Sequence, residues 1–223
     1  MRRWICLLAM LFASTVLPAV PVRVACVVDS ITYGLRLIDR KKDCYPAVLQ
    51  RLLGDGYEVR NFGASSATVQ ESGNRPYTRK AVYQESLAWQ PDIVLLLLGT
   101  NDSKKKNWEG VDSYMDAMRK TAASYKNLPS DPHIYVMTPP KAFSGYAGIN
   151  DSHIKEESEA ILAQTDYPVI DLRAAFEDNR QLIGKDGIHP NKEGAREIAT
   201  RIAKTLQHGA DLPQENEPAL QIL

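Results

Sequence analysis

The chain has 223 residues, with 27 Lys+Arg set against 27 Asp+Glu and no formal net charge. That length gives one ordinary globular domain enough sequence for a core, and the charge balance argues against a nucleic-acid partner, which calls for a basic excess or stripe. No metal-ligand cluster, phosphate loop or dinucleotide fingerprint stands out, so neither a metal nor a cofactor is expected.

In chain order, Arg2 and Arg3 precede an apolar run from Trp4 to about Leu17, and small residues such as Ala19 follow. This predicts a signal peptide over 1–19 and a secreted or periplasmic protein. The run falls short of the roughly 20 residues of a membrane-spanning helix, so no span is expected after cleavage. Cys26 and Cys44 then remain, and both are expected as free thiols, Cys26 being a small hydrophobe in a predicted central strand.

The first strand is predicted over Val22–Val28, stopping on Asp29 and Ser30. Tyr45–Leu53 reads as a helix with proline in its first turn and Gly54 closing it. A short strand follows at Tyr57–Asn61, and a helix over Tyr77–Trp89 that Pro91 stops. Asp92–Leu98 is a continuous apolar run, as a strand buried on both faces requires. Val111, Tyr114, Met115, Met118, Ala122 and Tyr125 recur at helical spacing and predict a core-facing stripe. A strand at His133–Met137, a helix over Ser152–Gln164 and a short strand at Pro168–Asp171 complete the middle of the chain. Ala195, Ile198, Ala199, Ile202, Ala203 and Leu206 define the last helix, and the domain is expected to run from 20 to 208 with a frayed tail over 209–223. Five strands alternating with helices give a three-layer α/β/α sandwich around a five-stranded parallel sheet.

In such a sheet, ligands bind beyond the carboxyl ends of the strands, where Ser30 stands. A serine hydroxyl is a weak nucleophile and needs an imidazole to take its proton and a carboxylate to orient that imidazole. Asp186 and His189 stand three apart in a turn marked by Gly187 and Pro190, so one loop supplies base and orienter together. His133, His153 and His208 read as structural or solvated. Acyl transfer also needs donors aimed at the developing oxyanion; Gly63, after the second strand, permits close backbone approach, and Asn101, after the third, carries an amide donor.

With these residues in place, the chain resembles the SGNH (GDSL-type) hydrolases. It is similar to them in Val28–Gly34, in Asn61-Phe62-Gly63, in Gly99-Thr100-Asn101-Asp102 and in Asp186 to Pro190. The resemblance implies the flavodoxin-like fold of that family, Ser30 as nucleophile, His189 as base, Asp186 as orienter, and the Ser30 and Gly63 N–H groups with the Asn101 amide as oxyanion hole. Further similarity, in Tyr45-Pro46, Pro76-Tyr77 and the segment from Gly99 to Lys104, is to bacterial carbohydrate and sialate O-acetylesterases. The expected partner is therefore a small-molecule or glycan acetyl ester. Asp29, Tyr33, Trp108, Phe143 and Tyr146 are candidate substrate contacts, the aromatic faces suiting sugar rings, while Lys104-Lys105-Lys106 reads either as a solvated run or as an attractor for an anionic sugar. The family has glycine where this chain has Val28, which is expected to keep β dihedrals and, by its bulk, to lower activity. Two alternatives stay open at this point: a lipolytic esterase or thioesterase with the same chemistry, and a sugar-binding relative disabled by Val28.

Overall fold

The computed structural model describes residues 20–209. In chain order its elements are β1 (Val22–Val28), α1 (Ser30–Tyr33), α2 (Arg40–Asp43), α3 (Tyr45–Leu53), β2 (Tyr57–Gly63), α4 (Ala81–Ala88), β3 (Ile93–Leu97), α5 (Val111–Lys126), β4 (His133–Met137), α6 (Asp151–Gln164), β5 (Val169–Ile170), α7 (Leu172–Phe176) and α8 (Lys192–Gly209). The strands form one parallel sheet in the order β2-β1-β3-β4-β5. The chain leaves β1 to one side and then crosses back to the other, which puts the switch point of the topology between β1 and β3. The expected signal peptide and the tail beyond Gly209 lie outside the described residues.

The apolar runs of β1 and β3 are divided between two cores by the period of two along a strand. Val24, Cys26, Leu95 and Leu97 face α3 and α8, packing with Tyr45, Leu49, Ile198 and Ile202. Ala25, Val27, Val94 and Leu96 face the other layer, with Tyr83, Tyr114, Met118, Tyr125 and Ile161. Every member of the stripe from Ala195 to Leu206 is buried. Cys26 and Cys44 are both buried and, among the described residues, free. Among the described residues no helix is long and apolar enough to cross a membrane.

Three boundaries differ from the sequence-based expectation. The helix expected from Tyr77 is a single 3₁₀ turn, and α4 begins only at Ala81. The buried Tyr77 is held by its N–H to the Thr68 carbonyl (2.9 Å) and its hydroxyl to the Phe62 carbonyl (2.8 Å), and Lys80 is extended. β5 is only two residues long, pairing with β4 through Val136 and Met137 at the sheet edge. β2 runs two residues beyond Asn61, because Phe62 and Gly63 stay in register with Val27 and Val28. Val28 pairs with both Gly63 and Leu97, so its backbone completes β1; its side chain lies outside the described residues.

Gly63 is where β2 and α1 touch. A Cβ there would overlap the backbone nitrogen of Tyr33, whereas one on Gly56 meets nothing within 4 Å. Neither backbone nor strand can yield to such an overlap without moving the α1 turn that carries Ser30. Gly63→Ala is therefore expected to cost on the order of 3 kcal/mol, a fall in Tm of roughly 6–12 °C for a domain of this size, while Gly56→Ala leaves the midpoint within a degree or two. Equal midpoints for the two variants in thermal melts would contradict this packing role.

Candidate active site

β1 ends at Val28, and Asp29 caps α1: its Oδ1 accepts the Ile31 N–H at 2.8 Å. Such a cap satisfies one of the donors that a helix start leaves free. Ser30, the first residue of α1, is thereby fixed at the strand end, 4% exposed. Its Oγ lies 2.9 Å from His189 Nε2, and His189 Nδ1 lies 2.7 Å from Asp186 Oδ2.

The Asp186 carboxylate takes three hydrogen bonds and one ion pair. Oδ1 accepts the Ile188 and His189 N–H groups at 3.0 and 3.1 Å; Oδ2 accepts His189 Nδ1 and sits 2.8 Å from Arg36 Nε. Burial raises its pKa, but the hydrogen bonds from the His189 ring and the two backbone N–H groups outweigh that and hold it below the usual carboxylate range. An ionised carboxylate can only accept, so the imidazole proton sits on Nδ1 and Nε2 is left as an acceptor for the Ser30 hydroxyl. Arg36 also donates to the Tyr146 hydroxyl at 3.0 Å, tying the loop after α1 to the loop after β4.

A cleft of about 220 Å³ opens above these groups, walled by Leu35, Arg36, Ser66, Thr100, Asn101, Lys104, Tyr146, Ala147, Ile149 and Ile188 together with Ser30 and His189. A larger cavity of about 590 Å³ lies elsewhere, between the segment from Val69 to Thr78 and α5, and holds none of these residues.

Of the expected site residues, the structure brings together Ser30, His189, Asp186, Asn101 and Tyr146. The Asn101 side-chain Nδ2 is buried and has no hydrogen-bond partner among the described residues, and the Asn101 backbone carbonyl accepts from Asn107 Nδ2 at 2.7 Å. Gly63 is not at the cleft. Its N–H is taken by Asn61 Oδ1 at 2.9 Å, and its missing side chain is explained by the approach of α1. The residue of this loop that lines the cleft is Ser66, at a left-handed φ of 65° in the turn closed by the Ala67 N–H to the Ala64 carbonyl. Among the described residues nothing accepts from the Ser66 N–H.

Asp29 is fully buried as the α1 cap and does not reach the cleft. Tyr33 lies beneath the Arg40 guanidinium, 4.1 Å from ring centre to Cζ, and Trp108 stacks on His153 at 4.3 Å. Phe143 packs against the core on the α3 and α8 side of the sheet. Tyr33, Trp108 and Phe143 are thus engaged within the protein; Tyr146, half exposed, stands on the cleft wall with the Arg36 guanidinium over its ring, 5.4 Å from Cζ to ring centre. Arg36, Ser66 and Thr100 were not read from the sequence as cleft residues, whereas Lys104 stood in the lysine run read either as solvated or as an attractor for an anionic sugar. Each stands in a turn just after a motif residue, and that proximity was the available signal.

Residues 29–197 match the family described as GDSL-like Lipase/Acylhydrolase. An acetylxylan esterase of Xylanibacter ruminicola is 36% identical over 207 residues, which is 83% of this chain and 43% of that protein. A multidomain esterase of Ruminococcus flavefaciens is 24% identical over 182 residues, 73% of this chain and 22% of that protein. The chain spans less than half the length of these relatives. In fold it is similar to a putative arylesterase of Agrobacterium tumefaciens (TM-score 0.70, 20% identity, 84% of this chain and 99% of that one). A carbohydrate acetylesterase of Sinorhizobium meliloti is comparably similar (TM-score 0.66, 21% identity, 84% and 99%).

Beneath the cleft, Asp102 is fully buried and ties the turn after β3 to the segment after β2 by accepting the Val69 and Gln70 N–H groups at 3.0 and 2.9 Å. Burial pushes its pKa up from 3.8 to about 7 against the pull of those bonds. A folded-state value above the unfolded one adds stability that is complete below about 3.8 and lost as the pH rises to about 7. The wild-type Tm should therefore fall between pH 5 and pH 8, and Asp102→Asn, which keeps an acceptor but no charge, should fall less over that interval. Parallel melting curves with the same drop in both proteins would show that Asp102 does not titrate there.

Proposed function

The chain belongs to the GDSL-like lipase/acylhydrolase family, and on that premise we propose that it is a serine esterase removing O-acetyl groups from carbohydrate through an acyl-enzyme. The observation that carries this reading is the continuous hydrogen-bonded path from Ser30 Oγ through His189 to Asp186 at 2.9 and 2.7 Å. In the first half-reaction Ser30 Oγ attacks the acetyl carbonyl carbon while its proton passes to His189 Nε2. Asp186 stabilises the imidazolium from the other side of the ring. The carbonyl oxygen becomes an oxyanion, for which the unpartnered Asn101 amide and the Ser66 N–H are suited donors. The Ser30 N–H joins them, since the first residue of a helix has no helical carbonyl for its proton. Collapse breaks the ester C–O bond, and His189 returns the proton to the departing sugar oxygen. Water then repeats the attack on the acetyl-serine with His189 as base, releasing acetate and restoring Ser30.

The small acyl group follows from the room available: about 220 Å³ is below the roughly 300–1,000 Å³ of sites that engulf a drug-sized ligand. A carbohydrate alcohol is supported by the similarity to the acetylxylan esterase and by the half-exposed Tyr146 ring on the cleft wall. Export is part of the proposal, resting on the basic and apolar leader over 1–19. The engaged Ser30 and His189 argue against a disabled sugar-binding relative.

Turnover of a 4-nitrophenyl acyl series from acetyl to octanoyl, together with acetylated xylo-oligosaccharides, tests the reading. The acetyl ester and the acetylated sugars should be hydrolysed, and kcat/KM should fall at least tenfold by octanoyl. A flat or rising series would move the protein to the lipolytic side of the family.

A further inference from the structure

Among the described residues the cleft wall carries two cations, Arg36 and Lys104, and no carboxylate side chain. Arg36 is engaged by Asp186 and Tyr146. Lys104 is different: it is partly buried, and among the described residues no acidic group lies within ion-pair distance of its ammonium. Its backbone is held beside Asn101, its N–H donating to the Asn101 carbonyl at 3.4 Å, while its own carbonyl accepts the Asn107 and Trp108 N–H groups at 2.7 and 2.9 Å. The side chain is therefore rooted three positions beyond the amide that faces the nucleophile. Lys105 and Lys106, its neighbours in sequence, are exposed and do not line the cleft.

A partly buried ammonium without an ion-pair partner is costly to hold: burial and the nearby Lys106 charge lower the Lys104 pKa, and the more distant buried Asp29 and Asp102 offset this only in part. The group regains the lost interaction when an anion enters. Within a cleft shaped for a sugar ester, such an anion arrives on the substrate. We propose that Lys104 is a specificity residue that binds a carboxylate on the acetylated glycan, so that the preferred substrates are acetylated sugars carrying or adjoining an acidic sugar. The inference rests on the acetylesterase reading and adds the charge of the substrate to it. Arg36, held by Asp186, contributes positive potential without having to leave its partner.

The test compares kcat/KM on three substrates at low salt: an acetylated neutral xylo-oligosaccharide, the same oligosaccharide with a glucuronic acid branch, and an O-acetylated sialic acid. A charged hydrogen bond of this kind contributes about 1.5–3 kcal/mol, or roughly tenfold or more in rate constant. The wild type should prefer at least one acidic substrate over the neutral one by about that factor, and the arm showing it identifies the acid. Lys104→Gln should remove the preference, Lys104→Arg should retain most of it, and raised salt should weaken it. Lys105→Gln and Lys106→Gln should keep the wild-type ratio. Equal rates on neutral and acidic substrates in the wild type, or a preference that survives in a folded Lys104→Gln, would overturn the assignment while leaving the esterase intact. Hydrolysis of none of the three by the wild type would remove the parent reading and this one together.

Discussion

The hydrogen bond between Ser30 Oγ and His189 Nε2 joins positions 159 residues apart, and most of the fold is a means of making that separation 2.9 Å. Ser30 is set by the end of β1, the central strand that pairs with β2 and β3 at once. His189 is set by α8, whose buried stripe packs against the same sheet face as α3. The turn before α8 is further fixed by the Gly184 N–H to the His189 carbonyl at 2.7 Å and by Asn191 to Leu182 at 2.9 Å. Each end is thus held by backbone in regular structure, and the side chains need little further ordering to meet.

Around that bond the protein distributes charge in two layers. Asp186 is ionised and fully satisfied, with Arg36 closing its solvent side. Beneath, Asp29, Asp102 and Glu157 are fully buried, and burial raises all three, Asp29 to about 6 and Glu157 well above the ordinary carboxylate range. Neither Glu157 oxygen has a partner, so the neutral acid is its cheaper form. Gly99, at a φ of 130°, leaves the space that Glu157 fills, since a Cβ there would overlap its carboxyl. The buried acids therefore support the turn from Gly99 to Asp102 from below, while the ionised one faces the histidine.

The parallel sheet, and the serine, histidine and aspartate that the structure brings together, were legible because each leaves a local mark: an apolar run on two faces, a stripe at helical spacing, a short turn with Asp186 and His189 three apart; the strand order class came with the family resemblance alone. Gly63 was misread for a reason of the same kind. Glycine permits close approach, and sequence does not say what approaches; at Gly63 it is the α1 backbone, not substrate. Ser66 left no mark because its left-handed φ is a property of the turn. Asp29 reads from sequence as a substrate contact because the helix it caps, only four residues long, leaves no periodic signal. Arg36 and Lys104 reach the cleft through loop paths that no periodicity encodes.

The account stands on Ser30 being activated by His189 within a site already formed before substrate arrives. Labelling the intact protein with a fluorophosphonate that reacts only with activated serines, followed by peptide mass analysis, tests this directly. The account predicts one adduct, on the peptide containing Ser30, absent in Ser30→Ala and formed at least a hundredfold more slowly in His189→Ala, as expected when a positioned base is lost. No adduct on the folded wild type, or an adduct at another serine, would contradict it.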